Sequence, residues 1–411
     1  MSKKNIISAA IIGNIVEYYD FGLYAVFAEV LGRLYFPQFN KDIQIIFSFT
    51  IFAIGFLMRP LGGIIFGHIG DILGRKISLT ISIIGMGIST LIIGIMPTYQ
   101  QIGIIAPVLL TTIRMFQGLC IGGEGPGSAI FVIEHFKEKK IGLIGSFIMS
   151  SNVIGTLLAI TVGIIIDNMI KIDNFTWRYG FFLGGFMGII GLYVRKQTVE
   201  TPVFKNLKLK KRLTKLPLLV ILKERWQNIL LLASFAGVAT SNTYMIRGFF
   251  SVYFAEIIAL SKQNALYIVA FSLVTVICTL PIFGYFVDKV NCKKYVYVST
   301  IILIIVVIPI FSTFSNNQAL ENIYFSIFIF GILVSSTLAP YYPFAIKFFS
   351  PELRYSGIAL SWNLGNAIFG GTTPVLATFL VMKFGCNAPA YYLSFIASLF
   401  LLISLLNKKI L

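Results

Sequence analysis

Charge is scarce in this sequence: Asp, Glu, Lys and Arg make up 12% of 411 residues, against 57% hydrophobic ones. Such a chain cannot cover itself with a solvated surface, so it reads as an integral membrane protein. Acidic residues number 16 against 33 basic ones, a formal net charge of +17. The excess does not indicate nucleic acid, because the basic residues line no single face or helix. They fall between long apolar runs, where an orientation signal accounts for them. Cysteine is limited to Cys120, Cys278, Cys292 and Cys386, without a CxxC pair or a neighbouring His cluster. Neither a zinc site nor a disulfide framework is indicated, and packing roles are expected. Only two histidines occur, His68 and His135, both at expected cytoplasmic loops, and GxxxxGK[ST] and HExxH are absent. No metal, no organic cofactor and no enzyme activity are therefore expected. Lys3 and Lys4 precede an apolar stretch, as in a signal peptide. Glu17 and Asp20 interrupt it and no small-residue cleavage site follows, so the first span is expected to be retained.

What is abundant is apolar sequence in runs long enough to cross roughly 30 Å of hydrocarbon. Twelve runs lie near 6–35, 43–66, 77–96, 102–133, 141–166, 177–195, 228–258, 264–287, 295–314, 322–346, 356–382 and 388–406. Most basic residues fall in alternate connections and at the two ends, including Arg75, Lys76, Lys139, Lys140, Lys293, Lys294, Lys408 and Lys409. The positive-inside rule then places both termini in the cytoplasm. The spacing predicts a first six-span bundle over 1–195, a basic cytoplasmic linker over 196–227 and a second bundle over 228–411. The halves read as repeats: Gly67 to Lys76 after span 2 aligns with Gly284 to Lys293 after span 8, and Gly142 and Gly155 align with Gly357 and Gly370 at nearly the same offset. The expected fold is all-α, with twelve transmembrane helices in two six-helix pseudo-repeat bundles, an architecture known among secondary transporters.

A few charges sit inside these runs, at about 2.5 to 3.5 kcal/mol each for a residue at the bilayer centre, so they need partners, water or a role. Glu17, Asp20 and Tyr24, spaced i, i+3, i+7, share one helical face near mid-depth. Proton or solute handling and a permanent structural ion pair both remain open for the two acids. Arg114, Gln117 and Glu124 repeat the pattern in span 4, with Arg114 at a depth like that of Asp20. The two are expected to face each other across a cavity between the halves. A guanidinium stays charged and grips carboxylates bidentately, so Arg114 is a candidate clamp for a solute carboxylate, a coupling partner for the acid, or a structural residue. Tyr24, Arg59, Arg247, Asn363 and Asn366 are candidate solute-binding residues of the cavity, with snorkelling, ion pairing or helix–helix bonding as the plain alternative. Glu29, Arg33 and Glu256 fit interfacial roles. Asp71 and Arg75, i and i+4 beside Gly67, Gly74 and Lys76, suit a charge latch that opens and closes during a conformational cycle, with Glu124 as a supporting carboxylate.

These segments together resemble the major facilitator superfamily and, within it, the metabolite:H+ symporter family. Gly13-Asn14-Ile-Val-Glu17-Tyr18-Tyr19-Asp20-Phe21-Gly22-Leu-Tyr24 resembles that family's first-span signature, and Arg59-Pro60-Leu-Gly62-Gly63 its second. Gly67 to Lys76 is similar to the superfamily loop motif, with Ile72-Leu73 where a basic residue is often seen. Arg114-Met-Phe-Gln117-Gly118 with Gly122-Gly123-Glu124, Glu200-Thr201-Pro202-Val-Phe204, and Tyr355-Ser-Gly357 with Phe369-Gly370-Gly371-Thr372-Thr373-Pro374 complete the set. The resemblance implies alternating-access symport of a small organic solute with a proton as coupling ion, in a bacterial inner (plasma) membrane. Asp20 and Glu17 would carry the proton, and Arg114 and Gln117 would hold the solute's carboxylate. The wording is closest to the proline/betaine branch, with a dicarboxylate or other organic-acid symporter, a uniporter or exchanger, and a non-transporting membrane sensor as alternatives. Some osmoregulatory members carry a C-terminal coiled coil; with five residues after the last run, none is expected here.

Overall fold

The computed structural model describes residues 3–136, 140–169, 175–316 and 319–407, helices joined by turns and short irregular segments, without a strand among them. Lys139, Lys408 and Lys409, used above for orientation, lie outside the described residues. The chain forms α1 (Lys3–Val26), α2 (Ala28–Tyr35), α3 (Lys41–Ile72), α4 (Arg75–Ile95), α5 (Tyr99–Ile102), α6 (Ile105–His135), α7 (Ile141–Met169) and α8 (Trp177–Lys196). Two short helices follow, α9 (Pro202–Leu209) and α10 (Pro217–Glu224). The remainder is α11 (Trp226–Tyr244), α12 (Phe250–Val252), α13 (Lys262–Lys289), α14 (Cys292–Asn316), α15 (Leu320–Leu338), α16 (Tyr341–Ala345), α17 (Arg354–Gly365), α18 (Thr373–Phe384) and α19 (Ala388–Leu406). Eleven helical stretches among the described residues are long and apolar enough to cross a membrane. α8, the sixth expected span, is 20 residues long and is not among these eleven; it carries Arg178, Arg195 and Lys196.

Several expected spans are not single α-helices. The first run breaks at Phe27 between α1 and α2. The seventh passes from α11 through π turns at Met245–Phe249 and Tyr253–Ile257, and the eleventh joins α17 to α18 through another at Asn366–Gly370. A π turn inserts an extra residue into the helical ladder and re-aims the side chains after it, an event hydrophobic runs do not register. The linker is also structured: Thr201 caps α9 by accepting from the Phe204 amide at 3.1 Å, and Pro202 occupies the first turn, where a missing N–H costs nothing.

By contacts the chain forms two units. One comprises Met1–His135, Ser151–Leu218 and Pro351–Ala359; the other comprises Phe136–Ser150, Leu219–Ser350 and Leu360–Leu411. In the first unit Tyr19, Leu23, Phe27, Leu110, Trp177 and Phe181 form a buried apolar core. The Tyr19 hydroxyl donates to the Gly180 carbonyl at 2.8 Å, tying α1 to α8. α3 and α6 meet backbone to backbone: a Cβ on Gly118 would meet the Gly55 carbonyl, and one on Gly122 the Arg59 carbonyl. Glycine allows this approach, as at small-residue interfaces of membrane helices. Large apolar side chains such as Leu57, Ile88, Phe186 and Val375 remain outward-facing, the composition hydrocarbon requires.

Candidate functional site

The first unit buries an unusual number of ionisable groups. Glu17, Asp20, Arg59, Arg114, Glu124 and Arg195 are each at most 2% exposed, and Tyr24 and Gln117 are fully buried. α1 supplies Glu17, Asp20 and Tyr24, α3 supplies Arg59, α6 supplies Arg114, Gln117 and Glu124, and α8 supplies Arg195. The close α3–α6 packing brings the two inward arginines of those helices to the same region.

Asp20 and Arg114 are in this one unit and do not form a direct ion pair. Gln117 lies between them. Its Nε2 donates to Asp20 Oδ2 at 2.6 Å and approaches Thr90 Oγ1 at 3.2 Å, while its Oε1 accepts from Arg114 Nη1 at 2.8 Å. The expectation that Asp20 and Arg114 face each other across a cavity between the halves is therefore replaced by a hydrogen-bonded relay between α1 and α6. Packing forces this arrangement: α1 and α6 share the same core, so side chains at matching depth on the two helices need only one amide to connect them.

The relay is unfinished at both ends. Asp20 Oδ1, Glu17 Oε2, Arg114 Nε and Nη2, and Arg59 Nε and Nη2 are buried without hydrogen-bond partners among the described residues. Buried polar groups are normally paired, so such a cluster is a candidate site for a ligand, an ion or water. The guanidiniums rest on rings instead: Arg114 Cζ is 4.3 Å from the Tyr24 ring centre and Arg59 Cζ is 4.4 Å from those of Phe21 and Phe56. The Tyr24 hydroxyl donates to the Ser48 carbonyl at 3.2 Å. In the second unit Asn363 and Asn366 are buried and Asn366 Oδ1 is unpaired, whereas Arg247 is half-buried within a π turn.

The loop cluster assembles around Arg75. Its guanidinium pairs with Asp71 at 3.2 Å and Glu134 at 3.2 Å and donates to the carbonyls of Gly70 and Pro351. Asp71 accepts from the Tyr355 and Ser356 amides at 3.3 and 2.9 Å, at the first turn of α17, where exposed N–H groups favour an anion. A Cβ on Gly67 would lie 2.7 Å from Ser356 Cα, so only glycine permits this approach. Gly74 holds φ +124°, a conformation other residues avoid. The Lys76 amide donates to Glu200, and its ammonium donates to the Lys196 and Thr198 carbonyls, which anchors the linker segment. Glu124 is elsewhere: it pairs with Arg195 and accepts from Ser128. In the second unit Asp288 repeats the arrangement of Asp71, accepting from the Gly142 and Leu143 amides at 2.6 and 2.9 Å at the start of α7. Asp288→Ala strips two helix-start donors of their acceptor, at about 1.5 to 3 kcal/mol. It should lower the melting temperature of detergent-purified protein by several degrees, and Asp288→Asn, which keeps one acceptor, by less.

Sequence reasoning did not single out Arg195, Thr90, Glu134 or the rings of Phe21, Phe52 and Phe56. Arg195 resembles an orientation charge at a span end, and Glu134 an interfacial acid; only the folded packing shows that both are buried. The phenylalanines carry no signal in a chain with 38 of them.

A multi-helix membrane scaffold enclosing buried ions, with helix-capping loop carboxylates in both units, defines a secondary transporter. The chain belongs to the Major Facilitator Superfamily, whose family model matches residues 10–360 and 236–409. It is 34% identical, over 99% of its length and 88% of the relative's, to a Staphylococcus aureus (strain COL) protein provisionally named a proline/betaine transporter. It is 30% identical to the glycine betaine/proline/ectoine/pipecolic acid transporter OusA of Dickeya dadantii (strain 3937), with 99% and 83% covered. Among solved structures it resembles the proton:xylose symporter XylE bound to 6-bromo-6-deoxy-D-glucose, with TM-score 0.79, 16% identity, and 97% and 94% of the two chains covered. That likeness is one of fold. The expected all-α, twelve-helix architecture and the expected transporter class both hold.

Proposed function

We propose that this protein is a proton-coupled symporter of a small zwitterionic solute of the proline/betaine type, working by alternating access in a bacterial inner membrane with both termini cytoplasmic. The relatives' names support the solute class. The observation that carries the mechanism is the Arg114–Gln117–Asp20 relay, with unpaired donors at one end and an unpaired carboxylate oxygen at the other.

Its electrostatics couple the two ligands. Protonating Asp20 removes a negative charge that offsets Arg114, and the guanidinium then gains more from a solute carboxylate, which fits its free Nε and Nη2 side by side. By reciprocity, a bound carboxylate favours the proton on Asp20. Gln117 keeps both groups in register through the exchange, and Glu17 is the reserve acid on the same helix. Arg247, Asn363 and Asn366 are the second unit's proposed solute contacts. Gly67, Asp71, Gly74, Arg75 and Lys76 form the proposed latch, in which breaking the Asp71 caps frees the start of α17; Glu124 serves as a structural ion-pair partner instead.

A dicarboxylate symporter is the second reading, favoured by two buried guanidiniums, Arg59 and Arg114, with unpaired donors on each. Counterflow in proteoliposomes separates the readings. Preloaded proline or glycine betaine should drive uptake of the labelled solute, faster at lower external pH, while succinate should not. Uptake of cationic solutes alone would overturn the carboxylate role of Arg114.

A further inference from the structure

Two buried guanidiniums in the first unit have aromatic faces where carboxylates would be expected. Arg114 lies 4.3, 5.1 and 5.7 Å from the Tyr24, Phe21 and Phe52 ring centres, and Arg59 lies 4.4 Å from those of Phe21 and Phe56. The four rings are continuous: Phe21 meets Phe52 and Phe56 at 4.5 and 4.6 Å, and Phe52 meets Phe56 at 5.2 Å and Tyr24 at 6.1 Å. Among the described residues neither arginine forms an ion pair, and the one within this set of six buried charges joins Arg195 to Glu124. The rings thus serve as cation-binding faces, holding guanidiniums that touch no carboxylate directly.

We propose that Tyr24, Phe21 and Phe52 form the subsite for the quaternary ammonium of a betaine-like solute, entered by exchange: the solute's carboxylate draws the guanidinium off the rings and its ammonium takes their faces. This deepens the zwitterion reading and rests on it. Three carboxylates, Glu17, Asp20 and Glu124, balance three guanidiniums, Arg59, Arg114 and Arg195, in this buried set. A zwitterion brings no net charge, so the exchange conserves that balance. A quaternary ammonium has no N–H to give Asp20 or Glu17, whereas a ring face needs none. Proline, whose secondary ammonium donates hydrogen bonds, depends less on the rings.

The test compares glycine betaine with 3,3-dimethylbutanoate, which has the same shape with carbon in place of the charged nitrogen. Both ligands start from the same free protein, so the ratio of their affinities cancels the arginine–ring contacts and reads the positive charge, and the change of that ratio in the ring variants reads the rings' share of it. Calorimetry on the full chain in detergent should give the wild type a preference for betaine of at least about tenfold, the scale of a desolvated cation–π contact. Tyr24→Leu and Phe52→Leu should bring the ratio to within about threefold of parity, and Tyr24→Phe should keep it. Trifluorophenylalanine at position 52, which preserves shape and weakens the ring's negative face, should lower the ratio without unfolding the protein. A wild-type ratio near one, or a ratio unmoved by both the leucine and the fluorinated variants, overturns the subsite while leaving zwitterion transport in place. If the wild type takes up neither proline nor betaine in counterflow, the functional reading fails and the subsite with it.

Discussion

Asp20→Asn should abolish accumulation of solute against its gradient while leaving exchange of solute for solute within about threefold of wild type. The reason is geometric and chemical together. An asparagine oxygen still accepts from Gln117 Nε2, as Asp20 Oδ2 does at 2.6 Å, so the link from α1 to α6 survives. What is lost is the exchangeable proton. Without it, the charge opposite Arg114 is fixed, and solute binding no longer responds to external pH. Concentrative uptake should fall by about 100-fold or more, to the level of an equilibrating carrier, and the pH dependence of uptake should flatten. Proteoliposomes with and without an imposed proton gradient provide the measurement. Undiminished, pH-dependent accumulation by the variant would remove Asp20 from the coupling step and turn attention to Glu17. Gln117→Leu makes the complementary case: it keeps the proton site and cuts the relay, so exchange should persist with a weakened link between pH and solute affinity.

The second large effect is structural. Arg195 should prove indispensable to folding as long as Glu124 is present, and dispensable once it is gone. The pair is buried on α6 and α8, with Ser128 alongside. Removing one partner strands a charge in the helix bundle, at about 3 to 5 kcal/mol, whereas replacing both with apolar groups of similar volume is often neutral. Arg195→Met should be the more damaging single change, because Glu17 already feels Glu124 as a like charge and two carboxylates would then confront each other. Glu124→Gln leaves Arg195 with an amide oxygen and with Ser128 as acceptors, a milder loss. The double variant Glu124→Leu/Arg195→Met should recover most of the melting temperature lost by Arg195→Met. Size-exclusion profiles of heated, detergent-solubilised protein would report this, and additive losses in the double variant would rule it out.

Much of the site was legible before folding was considered, and the reason lies in dielectric cost. Glu17, Asp20, Arg59 and Arg114 stand out because charge is expensive in hydrocarbon, so each announces itself against apolar neighbours. Asp71 and Asp288 were visible through the repeat, and their common task, accepting first-turn amides of α17 and α7, follows from helix ends having unpaired N–H groups. The family resemblance implies Gln117 as a solute contact; its place between Asp20 and Arg114 depends on how α1 packs on α6. Arg195 and Glu134 carry no such signal, because a charge near a span end is ordinary in sequence and burial there is decided by neighbours far along the chain. The π turns at Met245–Phe249 and Asn366–Gly370 were likewise invisible, since one inserted residue does not alter an apolar run.

The sequence by itself determined that this chain lives in a membrane, how many times it crosses, and which few charges must be accounted for, because hydrocarbon penalises exposed polar groups residue by residue. Only the tertiary structure decided who partners whom: that Gln117 joins Asp20 to Arg114, that Arg195 neutralises Glu124, and that two guanidiniums rest on aromatic faces. Those pairings depend on distances between helices, and it is the close glycine contact of α3 with α6, together with the shared core of α1, α6 and α8, that sets them.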